Sequence, residues 1–259
     1  LKKLSVGLGI LMLLVGIGGA GQKGFAREDV VYLSDEGLRN SIIEQLETPV
    51  ENQLPTIQQM AELTSLSGAW NGSIEGAQYA VNATSMQVSG NGIIDFRAIA
   101  GMKSLKNYYA YSSLIQGSEE KVLDISPFGE LRNLETLYFG YANIQDFSRL
   151  SELSHLKSIE AYGGYNVKLP TVYVDKATGK FIMEHPVKYS KQFNGERTVE
   201  GYTDKSDVTI RPVIEGQAVV IDNLKEEVAT VYLTFEASSK EPNSAFFASF
   251  SCEVPVVWY

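Results

Sequence analysis

The sequence predicts a mixed, mainly β chain: a solenoid of short parallel coils, closed at its start by helices and followed by a β-sandwich. Three observations predict it. Apolar positions recur at a fixed step of 22 residues through the middle of the chain. Helix-start signals at Asp35 and Thr56 precede the first of them. After Leu169-Pro170 the period stops, and short alternating runs between turn residues take over.

The N-terminal element is a targeting segment. Lys2 and Lys3 precede the apolar run "LSVGLGILMLLVGIGG", and the small-residue stretch "AGQKGFA" follows. That is the order of a secretory signal, with cleavage after Ala26 or after Ala20; an uncleaved membrane anchor is the rival reading. Once it is cleaved, no membrane insertion is expected. The next element, residues 27–63, is helical. Leu38, Ile42 and Leu46 fall at helical spacing behind Ser34 and Asp35, which can cap. Thr56 and Gln59 form a capping box ahead of Ile57, Met60 and Leu63, set on one side.

The repeats span residues 64–169. Asp124, Ile125, Phe128, Leu131, Leu134 and Leu137 reappear 22 positions later as Asp146, Phe147, Leu150, Leu153, Leu156 and Ile159. A step of 29 leads back to Asp95, Ile99, Met102, Leu105 and Tyr108, so this coil carries seven additional residues. The step then returns to 22, aligning Thr64 with Met86 and Leu66 with Val88. The ladder Thr64, Met86, Tyr108, Leu137, Ile159 marks about five coils. Leu134-x-x-Leu137-x-Phe139 followed by Ile144, Phe147 and Leu150 is the leucine-rich repeat pattern. One such coil cannot bury its apolar face alone, so neighbours stack. Asp95, Asp124 and Asp146 follow the strand, where a carboxylate caps a short helical turn. Asn91 stands where such repeats place a turn asparagine; Ala142 and Gly164 depart from it, with Asn143 displaced by one. The additional residues, Leu114–Glu120, are expected as a loop at the rim of the concave face.

Residues 170–259 carry the last element. Val208/Ile210, Val231/Leu233/Phe235 and Phe250/Cys252/Val254 alternate, separated by "KATGK", "FNGE", "IEGQ" and "KEPNS". This pattern predicts an antiparallel β-sandwich of about 90 residues. "NVKLP" leaves no Gly/Ser-rich linker, so coils and sandwich are expected to form one rigid unit.

"SIEGAQYAVNATSMQVSGN", "IIDFRAIAGMKSLKN", "DISPFGELRNLETL" and the helical start together resemble the internalin-type leucine-rich repeat proteins of Gram-positive bacteria. The exit "NVKLPTVYVDKATGKF" resembles their join to an adjacent immunoglobulin-like domain. The resemblance implies a secreted or surface-displayed module that binds another protein, a host receptor or a bacterial surface protein. The alternative is an envelope component that packs its coils on the bacterium's own surface proteins or glycans.

Composition narrows the chemistry. The chain has 259 residues and a formal charge of −9, poorly suited to nucleic acid or an anionic membrane. Its one cysteine, Cys252, lies on an apolar alternation and reads as a buried, inert thiol. Two histidines, His155 and His185, give little material for a metal site, and no nucleophile motif or phosphate loop occurs. No catalytic residue, metal or cofactor is expected. The candidate site is instead a surface. Residues alternating with the buried positions point outward from the concave sheet. By register these are Gln87 and Ser89, Tyr109 and Tyr111, Tyr138 and Gly140, Glu160 and Tyr162, with Tyr141 one step further on. Tyr109, Tyr111, Tyr138, Tyr141 and Tyr162 are the partner-binding candidates, because tyrosine combines an apolar ring with a hydroxyl at low entropic cost.

Overall fold

The computed structural model describes residues 29–47, 49–70, 72–89, 92–113, 121–164, 166–241 and 245–259. The expected signal (1–26), Asn91 and the inserted segment 114–120 lie outside the described residues.

Two helices come first. The Asp35 carboxylate starts α1 (Glu36–Gln45) by accepting the Leu38 N–H at 2.9 Å. At α2 (Ile57–Glu62) the Thr56 hydroxyl accepts the Gln59 N–H at 3.1 Å. The Gln59 side chain returns the bond, accepting the Thr56 N–H at 2.9 Å. Reciprocal capping of this kind satisfies donors that the first turn leaves open. Leu38, Ile42, Met60 and Leu63 are buried, but Ile57 is 40% exposed. Steps of three residues drift backwards round a helix by about 60° each, so Ile57 leaves the face that Leu63 shares with the core.

The coils follow. Strands β1 (Ser65–Gly68), β2 (Ser85–Val88), β3 (Asn107–Ser113), β4 (Thr136–Tyr141) and β5 (Ser158–Ala161) pair in parallel, in chain order. Met86, Tyr108, Leu137 and Ile159 are direct partners in successive strands, and all are buried. The 29-residue step therefore keeps the ladder in line.

The first rung differs from the expectation. Met86 pairs with Leu66, not Thr64, and Val88 pairs with Gly68. The first coil is thus two residues short. A slip of two preserves the in–out alternation, so periodicity alone does not detect it; burial does, since Leu66 is buried and Thr64 exposed. Gly68 then stands opposite Val88 with no side chain to fill the core. A Cβ there would lie 2.5 Å from the Trp70 Nε1, so the fully buried indole takes the place of the missing aliphatic group. The indole N–H donates to the Ser41 hydroxyl of α1 at 3.3 Å, tying the helix to the first strand.

Short 3₁₀ turns form the opposite side of each coil, at Ala77–Tyr79, Arg97–Gly101, Ser126–Glu130 and Ser148–Glu152. The Asp ladder lies at their entries. Asp95, Asp124 and Asp146 each accept the N–H two residues on, at 3.0, 2.9 and 2.8 Å. Ser73 does the same for Glu75 at 3.1 Å. Each holds the following residue, Ile74, Phe96, Ile125 or Phe147, in the core. A second ladder binds each coil to the one before it. Asn82 donates to the Ala61 carbonyl at 2.7 Å and Asn133 to the Lys103 carbonyl at 2.9 Å. His155 Nδ1 sits 3.0 Å from the Arg132 carbonyl, so this histidine occupies a rung of the ladder. Asn143 is fully buried, and its carbonyl accepts the Leu123 N–H at 2.8 Å.

The C-terminal third contributes β6 (Asn166–Lys168), β7 (Val172–Val174), β8 (Phe181–Glu184), β9 (Arg197–Thr203), β10 (Val213–Glu215), β11 (Ala218–Ile221), β12 (Thr230–Ser238) and β13 (Ala245–Trp258). Val208 and Ile210 lie outside these strands, in the loop after β9. There the Thr203 hydroxyl donates to the Lys205 carbonyl at 3.0 Å, curling the chain out of the sheet. Among the described residues the main sheet has ten strands, ordered β1-β2-β3-β4-β5-β13-β12-β9, with β6 and β7 also on β13. β13 runs parallel to β5 and antiparallel to β12. The chain is therefore mainly β, with one mixed sheet crossing residues 169 and 170. A three-stranded antiparallel sheet, β10-β11-β8, joins the same core.

The seam between the coils and the last third is aromatic. The Phe147 ring stacks on Tyr189 at 6.2 Å and meets Phe193 edge-on at 5.3 Å. Backbone bonds Phe147 N–H to Lys188 O (2.8 Å) and Lys188 N–H to Gln145 O (2.7 Å) fasten it.

Deep in the coils, Tyr108 packs against Phe128 at 4.8 Å and Phe139 at 5.4 Å. Its hydroxyl has no hydrogen-bond partner among the described residues, and burial pushes its pKa far up. An unpaired buried hydroxyl costs roughly 1–3 kcal/mol. Tyr108→Phe is therefore expected to stabilise the chain by about 1 kcal/mol in urea unfolding. A lower midpoint would mean that the hydroxyl is satisfied.

Candidate functional site

Alternation along the strands turns one residue in two away from the core. On β3 Tyr108 and Ala110 are buried while Tyr109 and Tyr111 face out; on β4 Leu137 and Phe139 are buried while Tyr138 faces out. On β5 Ile159 is buried and Glu160 faces out, with Tyr162 just beyond the strand.

The outward rings form a continuous row. Tyr109 and Tyr111 stack at 5.7 Å with only 2° between their planes. Tyr111 meets Tyr138 at 5.3 Å, and Tyr138 meets Tyr162 at 6.1 Å. Tyr109 and Tyr138 are register partners in adjacent strands, yet the ring contacts pass through Tyr111. The reason is local. Register shifts between Ala110 and Ser113, and a Cβ on Gly140 would lie 2.7 Å from the Tyr111 carbonyl oxygen. Glycine lets the two backbones approach at this bulge, where Tyr111 is carried over towards Tyr138. Gly140 itself, expected outward, is buried for the same reason.

Tyr141 is 55% exposed but makes none of these ring contacts; it lies against Gly164, where a Cβ would be 3.2 Å from its own. The row instead continues where sequence reasoning placed no site residue. Phe247 of β13 pairs with Glu160 and meets the Tyr162 ring at 5.2 Å. The signal was present, since Phe247 alternates with buried Phe246 and Ala248. Only the pairing of β13 with β5 brings it beside the coils.

The Tyr162 hydroxyl donates to the Glu160 carboxylate at 3.1 Å. Burial and this carboxylate together raise the Tyr162 pKa. Tyr111 is 47% and Tyr162 37% exposed, whereas Tyr109 and Tyr138 are half-buried by neighbouring rings. An array of ring faces with hydroxyls at the rim offers area and hydrogen bonds together.

The remaining chemistry-bearing groups lie elsewhere. Cys252 is buried and its thiol is pushed up to about 12 by desolvation. His185 is half-buried against Phe235 at 4.9 Å and accepts the Val187 N–H at 3.2 Å; burial lowers its pKa. Among the described residues no cluster of His, Cys, Asp or Glu is arranged to hold a metal ion. None of their helices is long and apolar enough to cross a membrane.

No family model and no curated protein matches the chain. The solved structures it is similar to include internalins. One is InlF of Listeria monocytogenes, with 20% identity over 52% of this chain and 45% of that one, at a TM-score of 0.32. InlC2 of the same organism matches with 20% identity over 54% of this chain and 84% of that one, at 0.27. The CBM51-2 and INT domains of Clostridium perfringens ZmpB, in complex with GlcNAc, match with 15% identity over 88% of this chain and 37% of that one, at 0.30. The chain spans less than half the length of the InlF and ZmpB structures.

Proposed function

We propose that this chain is a non-enzymatic, secreted or surface-displayed module that binds another protein on its concave tyrosine face. In this reading α1 and α2 cap a leucine-rich repeat stack over residues 64–169. Residues 170–259 form an immunoglobulin-like sandwich that closes its far end. The partner is a host receptor or a bacterial surface protein.

One observation carries the reading: five aromatic rings, from β3, β4, the end of β5 and β13, four adjacent strands, are in unbroken contact on one outward face. Core packing does not require this, because each ring alternates with a buried residue that already fills the interior. Contiguous exposed aromatic surface marks interaction sites. Tyr138, at the centre of the row, is the anchor.

Capture from host and bacterial surface extracts tests it. The immobilised chain is expected to retain a partner that Tyr138→Ala loses. Arg149→Ala, on the turn side of the coils, should retain it. Equal retention by both variants would place the interface off the concave face.

A further inference from the structure

The charges around the aromatic row point to the kind of partner segment it takes. Across the outward positions of β1–β5, β13, β12 and β9, the charged residues are Glu160, Glu253, Glu236 and Glu200. Lys168 of β6 also faces outward, but it stands directly beside Glu253 in the register. Lys106 and Lys157 lie at the strand entries and are both engaged by Glu135. Among the described residues Glu160, Glu200 and Glu236 have no cation within ion-pair distance.

One of these carboxylates borders the rings, and a second lies on the next strand, β12. Glu160 neighbours both Tyr138 and Phe247 in the register. Glu236 pairs with Ser249, whose hydroxyl accepts the Gly163 N–H at 3.0 Å, next to Tyr162. The face thus combines electron-rich ring faces with carboxylates that, among the described residues, no lysine or arginine pairs.

On this basis we propose that the concave face takes a basic segment: an extended stretch of partner protein with lysine or arginine at alternate positions. The inference rests on the concave-face reading above. Cations are drawn to tyrosine faces and gain further where carboxylates flank them. Alternate side chains of an extended segment stand roughly 6.6–6.8 Å apart. The ring separations of 5.2–6.1 Å are close to that, so one segment laid across the coils meets several rings. A carboxylate-rich segment would place like charges together, and a neutral one would leave the acidic flanks unmatched.

Fluorescence anisotropy with the full chain tests this. The probes are labelled twelve-residue peptides of alternating arginine and serine, glutamate and serine, or glutamine and serine, together with chitohexaose as a neutral glycan. Only the arginine peptide is expected to bind, at least ten-fold more weakly at high than at low salt. The double variant Glu160→Gln/Glu236→Gln should weaken it at least ten-fold, as should Tyr138→Ala. The double variant Glu130→Gln/Glu152→Gln removes the same charge from the turn side and should leave it unchanged. Equal losses from both double variants would reduce the effect to net charge and overturn the proposal. Absence of binding by the arginine peptide would also overturn it. Tyr138-dependent binding of the glutamine peptide or of chitohexaose would overturn the basic occupant while leaving the concave site standing.

Discussion

Replacing Phe147 with alanine is expected to lower the stability of the whole chain by about 3–5 kcal/mol. The ring is 1% exposed. It is held in the core by Asp146, which accepts the Ser148 N–H at 2.8 Å on its other side. It stacks on Tyr189 and meets Phe193, both from the last third of the chain. Truncation leaves a cavity that two backbone bonds to Lys188 prevent from collapsing. Because β13 pairs with β5 over Ala245–Ala248 and Ser158–Ala161, loss at this seam should be felt by both parts. The wild-type chain and the Phe147→Ala variant should each unfold in one thermal transition, the variant at lower temperature. Two resolved transitions in the wild-type chain would show that the coils and the last third are energetically separate.

The triple replacement of Tyr109, Tyr138 and Tyr162 by alanine is expected to abolish partner capture while leaving the chain folded. A hot-spot residue contributes roughly 2 kcal/mol or more, and about 1.4 kcal/mol is already a ten-fold loss. The stability cost should exceed that of fully exposed positions, which is usually below about 0.5 kcal/mol. Tyr109 and Tyr138 are half-buried, and Tyr109 stacks in parallel on Tyr111. A loss of about 1–2 kcal/mol is expected, since each aromatic pair is worth roughly 0.5–1.5 kcal/mol. Tyr173→Ala, at a ring 67% exposed on β7, provides the control. Undiminished capture by the folded triple variant would remove the concave face from consideration.

The repeat and the local geometry that follows from it are legible in the chain order alone. Period alone placed Met86, Tyr108, Leu137 and Ile159 on one ladder, across the 29-residue step as well. Capping chemistry is equally local: Asp35, Thr56 with Gln59, and Asp95, Asp124 and Asp146 each act within three residues of themselves. Such contacts depend on chain neighbours and are written in short windows. The register of the first coil is set by long-range packing. Leu66 rather than Thr64 faces Met86, because Trp70 folds back to fill the space over Gly68. Long-range packing also sets where β13 lies. Strand pairing over a separation of 87 residues, Ser158 to Ala245, leaves no periodic trace. That pairing added Phe247 to the aromatic row and brought Ser249, the register partner of Glu236, to the Gly163 N–H. Alternation assigns a residue to a face, but which faces adjoin is fixed by long-range pairing, where the free energy of many buried contacts selects one arrangement.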